Sequence, residues 1–153
     1  MTTPTQTDLQ MMRLALDAAD RAAEMSEVPI GAVVYRGDQV LATAHNLRET
    51  DADPTAHAEI IALRQAAKSI GHWRLIGCSI AVTLEPCPMC AGALVNSRLD
   101  RVVYGADDPK MGCVRTLSSL CDDPRFNHQL EVIPNVMDSE AIQRLQAFFR
   151  ARR

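Results

Sequence analysis

Apolar residues recur at helical spacing through the opening of the chain. Leu9, Met12, Leu16, Ala19 and Ala23 fall near one stripe, which predicts an amphipathic helix from about Asp8 to Met25, with Asp8 able to cap it. Ile30 to Tyr35 then reads as a strand, Arg36-Gly37-Asp38-Gln39 has turn chemistry, and Val40 to Ala44 supplies the returning strand of a hairpin. The polar stretch from Asn46 to Pro54 is a loop. Between Thr55 and about Ser69 apolar positions return as Ile60, Leu63, Ala66 and Ala67, predicting a second helix that stops before Gly71. Cys78 to Leu84 is a short, nearly continuous apolar run, the pattern of a buried central strand. Pro86 and Pro88 open a third helix through about Asn96, since proline is tolerated in a first turn. Arg101 to Gly105 and Gln129 to Pro134 are two further strands, and a last helix starts at Asp138 or Ser139, capped by one of them, and runs to the C-terminus. Strands alternating with helices predict an α/β protein whose mixed sheet carries helices on its faces.

No repeat, low-complexity tract or linker interrupts this order, so residues 1–153 are read as a single domain. A chain of this size buries about two-thirds of the surface its unfolded form exposes and needs no crosslinks. The formal net charge of −3 excludes holding nucleic acid by bulk charge, so any such contact must be local. No run approaches the ~20 apolar residues that span a bilayer. The first twenty residues lack the basic head and apolar run of a secretory signal. Five cysteines, an odd number, in an unsignalled chain predict reduced thiols and a cytoplasmic location.

The informative chemistry is His57-Ala58-Glu59 followed, some thirty residues on, by Pro86-Cys87-Pro88-Met89-Cys90. Zinc takes imidazole nitrogen and thiolate sulfur, and three such ligands leave a fourth position for water. His57, Cys87 and Cys90 supply that set. Glu59 need not be a ligand, because a carboxylate beside the metal can take the water's proton and deliver it to the reacting base. Mid-helix, residues two apart point to different faces, so His57 and Glu59 are expected in a first helical turn. Cys87 and Cys90 share a face at the start of their own helix. Two helix N-termini would then point at one metal and favour thiolates. The ordered pair of motifs, HxE and then PCxxC after a strand, is the zinc nucleobase deaminase pattern. The alternative from a different class is a closed, non-catalytic zinc module with a fourth ligand among Cys78, Cys113, Cys121, His45 or His128. In that reading Glu59 has no task. Outside the motif, Cys78, Cys113 and Cys121 are expected to pack as small apolar residues, the last two in a helix-prone region, and His45 and His72 as hydrogen-bonded structural histidines.

Over nearly its whole length the chain resembles the bacterial tRNA-specific adenosine deaminases of the cytidine deaminase-like superfamily. The resemblance is carried by Glu27-Val28-Pro29-Ile30-Gly31-Ala32-Val33, His45-Asn46-Leu47-Arg48-Glu49 and Asp53-Pro54-Thr55-Ala56-His57-Ala58-Glu59. It continues in Thr83-Leu84-Glu85-Pro86-Cys87-Pro88-Met89-Cys90-Ala91-Gly92-Ala93, Arg101-Val102-Val103-Tyr104-Gly105-Ala106 and Asp108-Pro109-Lys110-Met111-Gly112. Phe126-Asn127-His128 and Phe148-Phe149-Arg150 tilt it toward the tRNA enzymes; the earlier motifs suit guanine or cytosine deaminases as well.

The resemblance implies a three-layer α/β/α cytidine deaminase-like fold with a five-stranded mixed sheet. It also implies a homodimer, one Zn²⁺ per chain, and conversion of the wobble adenosine of a tRNA anticodon loop to inosine. By the same resemblance Asn46 would bond the flipped base, while Asp108, Lys110, Asn127, His128 and Arg150 would lie near flanking nucleotides. The plainer reading is that Asn46 caps a turn and Asp108 starts one. A free-base or nucleotide deaminase acting on guanine, cytosine or deoxycytidylate is the alternative within the same chemistry. Residues 98–153 are slightly basic (net +1) where residues 1–97 are acidic (net −4), and Arg144, Arg150, Arg152 and Arg153 close the chain without an acid. That cluster suits RNA phosphates and, equally, the last helix's dipole. Asp107, where many relatives carry a basic residue, and Cys113, where alanine is usual, depart from the pattern.

Overall fold

The computed structural model describes residues 3–152. Its elements follow the order α1 (Gln6–Glu24), β1 (Gly31–Arg36), β2 (Gln39–His45), α2 (Ala58–Ile70), β3 (Ser79–Leu84), α3 (Pro88–Asn96), β4 (Arg101–Ala106), β5 (Glu131–Ile133) and α4 (Asp138–Arg150). The five strands form one sheet in the order β2-β1-β3-β4-β5. β1 runs antiparallel to both β2 and β3, whereas β3, β4 and β5 run parallel to one another. The expected mixed sheet is therefore present, with Cys78 leading into a central strand.

Side chains alternate across the sheet, and each face has its own core. Val34, Ile80, Val82, Val102 and Tyr104 point toward α2 and α3 and meet Leu63, Ala66 and Leu94. Val33, Tyr35, Ala81, Val103 and Ile133 point the other way, onto Met11, Met12, Leu16 and Ala141 of α1 and α4. The result is the three-layer α/β/α sandwich. α1 lies unusually close because its inner face is alanine and because β1 opens with Gly31. A Cβ at Gly31 would fall 1.9 Å from the Ala15 carbonyl oxygen.

Four local expectations need correction. α1 is capped by Thr5, and Asp8 sits at the third helical position as the other half of a capping box. α2 begins at Ala58 with His57 as its N-cap, not at Thr55. Asp53 takes both the Thr55 amide and hydroxyl at 2.8 Å, which spends Thr55 in a turn. α4 begins at Asp138 from Met137 in the left-handed region (φ 56°), with neither Asp138 nor Ser139 as the N-cap. No helix forms around Cys113 and Cys121, because the amides of residues 114–116 all turn onto the Glu85 carboxylate and not onto helical carbonyls. Both thiols are nonetheless buried in the core, as expected of small apolar residues.

Asp8 also links layers. Besides the Thr5 amide it accepts the Tyr35 hydroxyl at 2.8 Å and an Arg101 guanidinium N–H at 2.5 Å. Asp8→Ala leaves the buried Tyr35 phenol unpaired and the half-buried Arg101 guanidinium with only its 3.9 Å contact to Glu131, and should cost about 2 kcal/mol. Urea unfolding will read this as a lower midpoint at unchanged slope, and an unchanged midpoint would exclude the network as a clamp on α1.

Candidate metal centre

The strand directions decide where a site can lie. β2, β3 and β4 end at one edge of the sheet, and β1 begins there, because β1 is antiparallel to both its neighbours. In open α/β sheets ligands bind outside the carboxyl ends of the strands. A cleft of about 690 Å³ opens at this edge. Its walls are Val28 and Ile30 before β1, Asn46 and Arg48 after β2, residues 107–111 after β4, and Leu145 and Phe149 of α4.

His57, Glu59 and Cys87 line the cleft. His57 and Cys87 are the N-cap residues of α2 and α3, and neither side chain turns back to bond its own helix. Residues favoured at this position normally do so. Freed from capping, the imidazole and the thiol project into the space where the two positive helix ends meet. His57 Nδ1 stands 3.6 Å from Cys87 Sγ and 3.5 Å from Cys90 Sγ. Tetrahedral zinc with bonds of roughly 2.3 Å to sulfur and 2.0–2.1 Å to nitrogen would set each N···S pair about 3.6 Å apart. The three donors thus have the chemistry and the spacing for such an ion. Among the described residues this is the one group of three or more His, Cys, Asp or Glu side chains drawn together in this way. None of the five possible fourth ligands joins it. His45 Nδ1 bonds the Asn46 carbonyl and His128 Nε2 the Leu99 carbonyl. His72, also expected to be structural, accepts from the Arg74 amide.

The electrostatics of the group are tightly coupled. Cys87 is drawn down to about 4, first by its hydrogen bond with Cys90 and, against the effect of burial, by His57. Cys90 moves up, through that same bond and its burial. A divalent cation among the three would favour both thiolates. Glu59 is buried, and burial pushes its carboxyl up to about 7, where one group can both accept and return a proton at neutral pH.

The other candidate residues divide. Asn46, Asp108 and Lys110 line the cleft with the metal group. Asn46 and Asp108 also make the turns of the plainer reading: Asn46 Oδ1 accepts the Arg48 amide, and Asp108 Oδ1 accepts those of Lys110 and Met111. Asn127 instead lines a second, shallower depression against α3, beside Phe126. Arg150 ends α4 just beyond Phe149, outside the cleft wall, and Arg153 lies outside the described residues. Sequence reasoning missed two buried carboxylates, Glu27 and Glu85. Glu27 accepts the Glu49 and Thr50 amides at 3.1 and 2.6 Å and so holds the loop after β2. Glu85 holds the loop after β4. Both stand in the quoted motifs, but nothing in their spacing distinguishes a buried acceptor from a surface acid.

The profile of the MafB19-like deaminase family matches residues 6–153. A "tRNA-specific adenosine deaminase" of Bacillus subtilis (strain 168) is 51% identical over 95% of this chain and 90% of its own length. Among solved structures, a chain from studies of A-to-I editing by tRNA:A34 deaminases at the wobble position superposes with a TM-score of 0.85 at 41% identity. That match covers 89% of this chain and 99% of the other. A guanine deaminase from Bacillus subtilis superposes with a TM-score of 0.62 at 25% identity, covering 92% of both.

Glu27 gives the site a defined acid sensitivity. Burial alone would raise its carboxyl, but the hydrogen bonds from Thr50 and Glu49 outweigh that and leave it below its usual 4.5. A group lowered in the folded state adds stability above its unfolded pKa and loses it as pH falls through the folded one. Glu27→Gln should therefore be less stable than the wild type at pH 7, with the gap closing as the pH drops below about 4.3. Urea midpoints at pH 7 and pH 3 check this; a gap that is equal at both would refute it.

Proposed function

The chain belongs to the MafB19-like deaminase family, alongside the tRNA-specific adenosine deaminases, and on that premise we propose that it hydrolyses adenosine to inosine at the wobble position of a tRNA anticodon loop. The observation that carries the chemistry is the meeting of His57, Cys87 and Cys90 with the buried carboxyl of Glu59 at the floor of one cleft. His57, Cys87 and Cys90 would hold one Zn²⁺ per chain. Zinc bound there supplies Lewis acidity and lowers the pKa of a water to about 7. Glu59 takes a proton from the attacking water and returns it to the base as the C6–N bond breaks, so that adenosine and water become inosine and ammonia.

Asn46 orients the base. Its amide nitrogen makes only a long 3.5 Å contact to the Val28 carbonyl, which a purine edge can replace. Lys110 and Arg48 bring positive charge to the mouth for the flanking phosphates. Asp108, Asn127, His128 and Arg150 would serve the neighbouring nucleotides. An unpaired anticodon loop suits such a cleft, since its bases can be splayed out and read on their edges. The tRNA reading is favoured over a guanine deaminase by 51% identity against 25% at similar coverage. A non-catalytic zinc module would leave a buried Glu59 unexplained. A tRNA substrate implies a cytoplasmic enzyme, and no helix among the described residues is long and apolar enough to cross a membrane.

The proposed homodimer is supported by the outer face of α3. Met89, Gly92 and Ala93 line the second depression with Ile60 and Phe126, and Phe126 is 43% exposed. Leu94 of the same helix faces inward and is buried in the chain's own core. Sedimentation should give a dimer at micromolar concentration, and Ala93→Arg should shift it to monomer; a wild-type monomer would refute the assembly.

The decisive assay incubates the protein with anticodon stem-loops and separately with guanine, cytosine and deoxycytidylate, measuring inosine and ammonia. Inosine is expected in a stem-loop. Ammonia from a free base with no inosine in any RNA would reverse the substrate assignment. Glu59→Ala should keep one zinc per chain and lose turnover by at least the ~10²–10⁴-fold typical of a missing general acid/base.

A further inference from the structure

We propose that Glu85 is a positioning residue for the substrate, fixing the 107–116 wall of the cleft at a set distance from the metal group. The inference rests on the deaminase reading above. Glu85 is buried between the end of β3 and Cys87. Its Oε1 accepts the Asp108 amide at 3.0 Å and the Thr116 hydroxyl at 2.5 Å. Its Oε2 accepts the amides of Val114, Arg115 and Thr116 at 3.1, 2.8 and 2.9 Å. Both oxygens therefore act only as acceptors, a pattern that a carboxylate satisfies and an amide does not.

Besides this carboxylate, the wall is held by Cys113 and Val114, which are buried in the core beneath α2 and α3. It contains no helix or strand, and its other backbone ties are a few single bonds, such as Gly112 N–H to the Asp108 carbonyl and Cys113 N–H to the Pro86 carbonyl. The loop wraps so closely that a Cβ on Gly112 would fall 2.3 Å from Glu85 Oε1 and 2.4 Å from its carboxyl carbon. Asp107, Asp108, Pro109, Lys110 and Met111 of the same loop face the cleft, which Glu85 also lines. The three-residue segment 85–87 thus carries the loop's anchor at one end and a metal-ligating thiol at the other. Movement of the wall against the metal group requires Glu85 to let go.

Two variants break this anchor from opposite sides. Glu85→Gln turns an N–H₂ group toward amide donors, and Gly112→Ala drives a methyl into the carboxylate and, at 2.7 Å, against the Asp108 carbonyl oxygen of the same wall. Both should keep one zinc per chain. In both, amide exchange at residues 114–116 should quicken, and KM for the substrate that the wild type turns over should rise by ~10-fold or more, within the range that small misplacements cost. kcat should change much less, since uniform binding and not the chemical step is lost. Stem-loop affinity measured in a Glu59→Ala background should weaken in parallel. The double variant should be no worse than either alone, the mark of two changes acting on one contact. KM and affinity within about twofold of the wild type, in whichever variant folds, would overturn the proposal even if stability dropped, because a merely structural carboxylate predicts that result. Wild-type protein that makes no inosine in any stem-loop overturns the substrate reading alone. The exchange and KM comparisons then stand on the free base that it does deaminate.

Discussion

The parallel pairing of β3 with β4 is the constraint from which the site follows. Two adjacent parallel strands cannot be joined by a tight turn, so the chain crosses over through α3 on one face of the sheet. That crossover must start where β3 ends. The thiols of Cys87 and Cys90 are therefore delivered at the carboxyl edge, at the positive end of a helix. The same pairing, with Leu84 opposite Ala106, makes β4 end beside β3 and brings residues 107–108 to that edge. On the other side, the antiparallel hairpin of β1 and β2 returns Asn46 and α2's His57 to the same place. No residue of the metal group lies on a strand. The sheet fixes where strands stop, and the candidate groups lie beyond those stops: Cys87 three residues after β3, and His57 at the head of the helix that follows the loop after β2.

Much of this was legible because it is periodic. α1 shows its stripe of Leu9, Met12 and Leu16, β3 shows a run that can only be buried, and Pro88 marks a first turn. What escaped was set by side-chain hydrogen bonds that leave no period. Asp8 looked like a cap because it begins an apolar pattern, yet Thr5 three residues earlier takes that role. Thr55 looked like a helix start until Asp53 claimed both its donors. The segment around Cys113 and Cys121 reads as helix-prone, but one distant carboxylate captures the amides a helix would use.

The site divides in the same way. His57, Glu59, Cys87 and Cys90, the group proposed for zinc and proton transfer, are legible because such chemistry would demand those residue types at a helix start, and two short motifs carry them. The cleft's walls are not. Asn46, Asp108 and Lys110 reached the cleft on resemblance alone, while Asn127 and Arg150, quoted from the same kind of motif, lie outside it. A wall residue is defined by which loop carries it and what holds that loop. For the loops after β2 and β4 the holders are Glu27 and Glu85, acids whose burial no composition or spacing reveals.

This separation bears on how one fold serves different bases. The guanine deaminase shares the architecture at 25% identity, and a site placed at strand ends by the sheet leaves the irregular loops free to differ. The walls are the adjustable part. They are irregular, so residues can be exchanged without disturbing a ladder of backbone bonds, provided that the buried acceptor gathering their amides stays in place. Asp107 illustrates the freedom: it faces the cleft mouth, its carboxylate accepts the Tyr104 hydroxyl at 2.7 Å, and it belongs to no helix or strand. Such a residue can alter the charge that an incoming phosphate or base edge meets while β4, α3 and the metal group beneath it remain as they are. The loops beyond the strand ends can thus vary over a group whose position the sheet itself fixes.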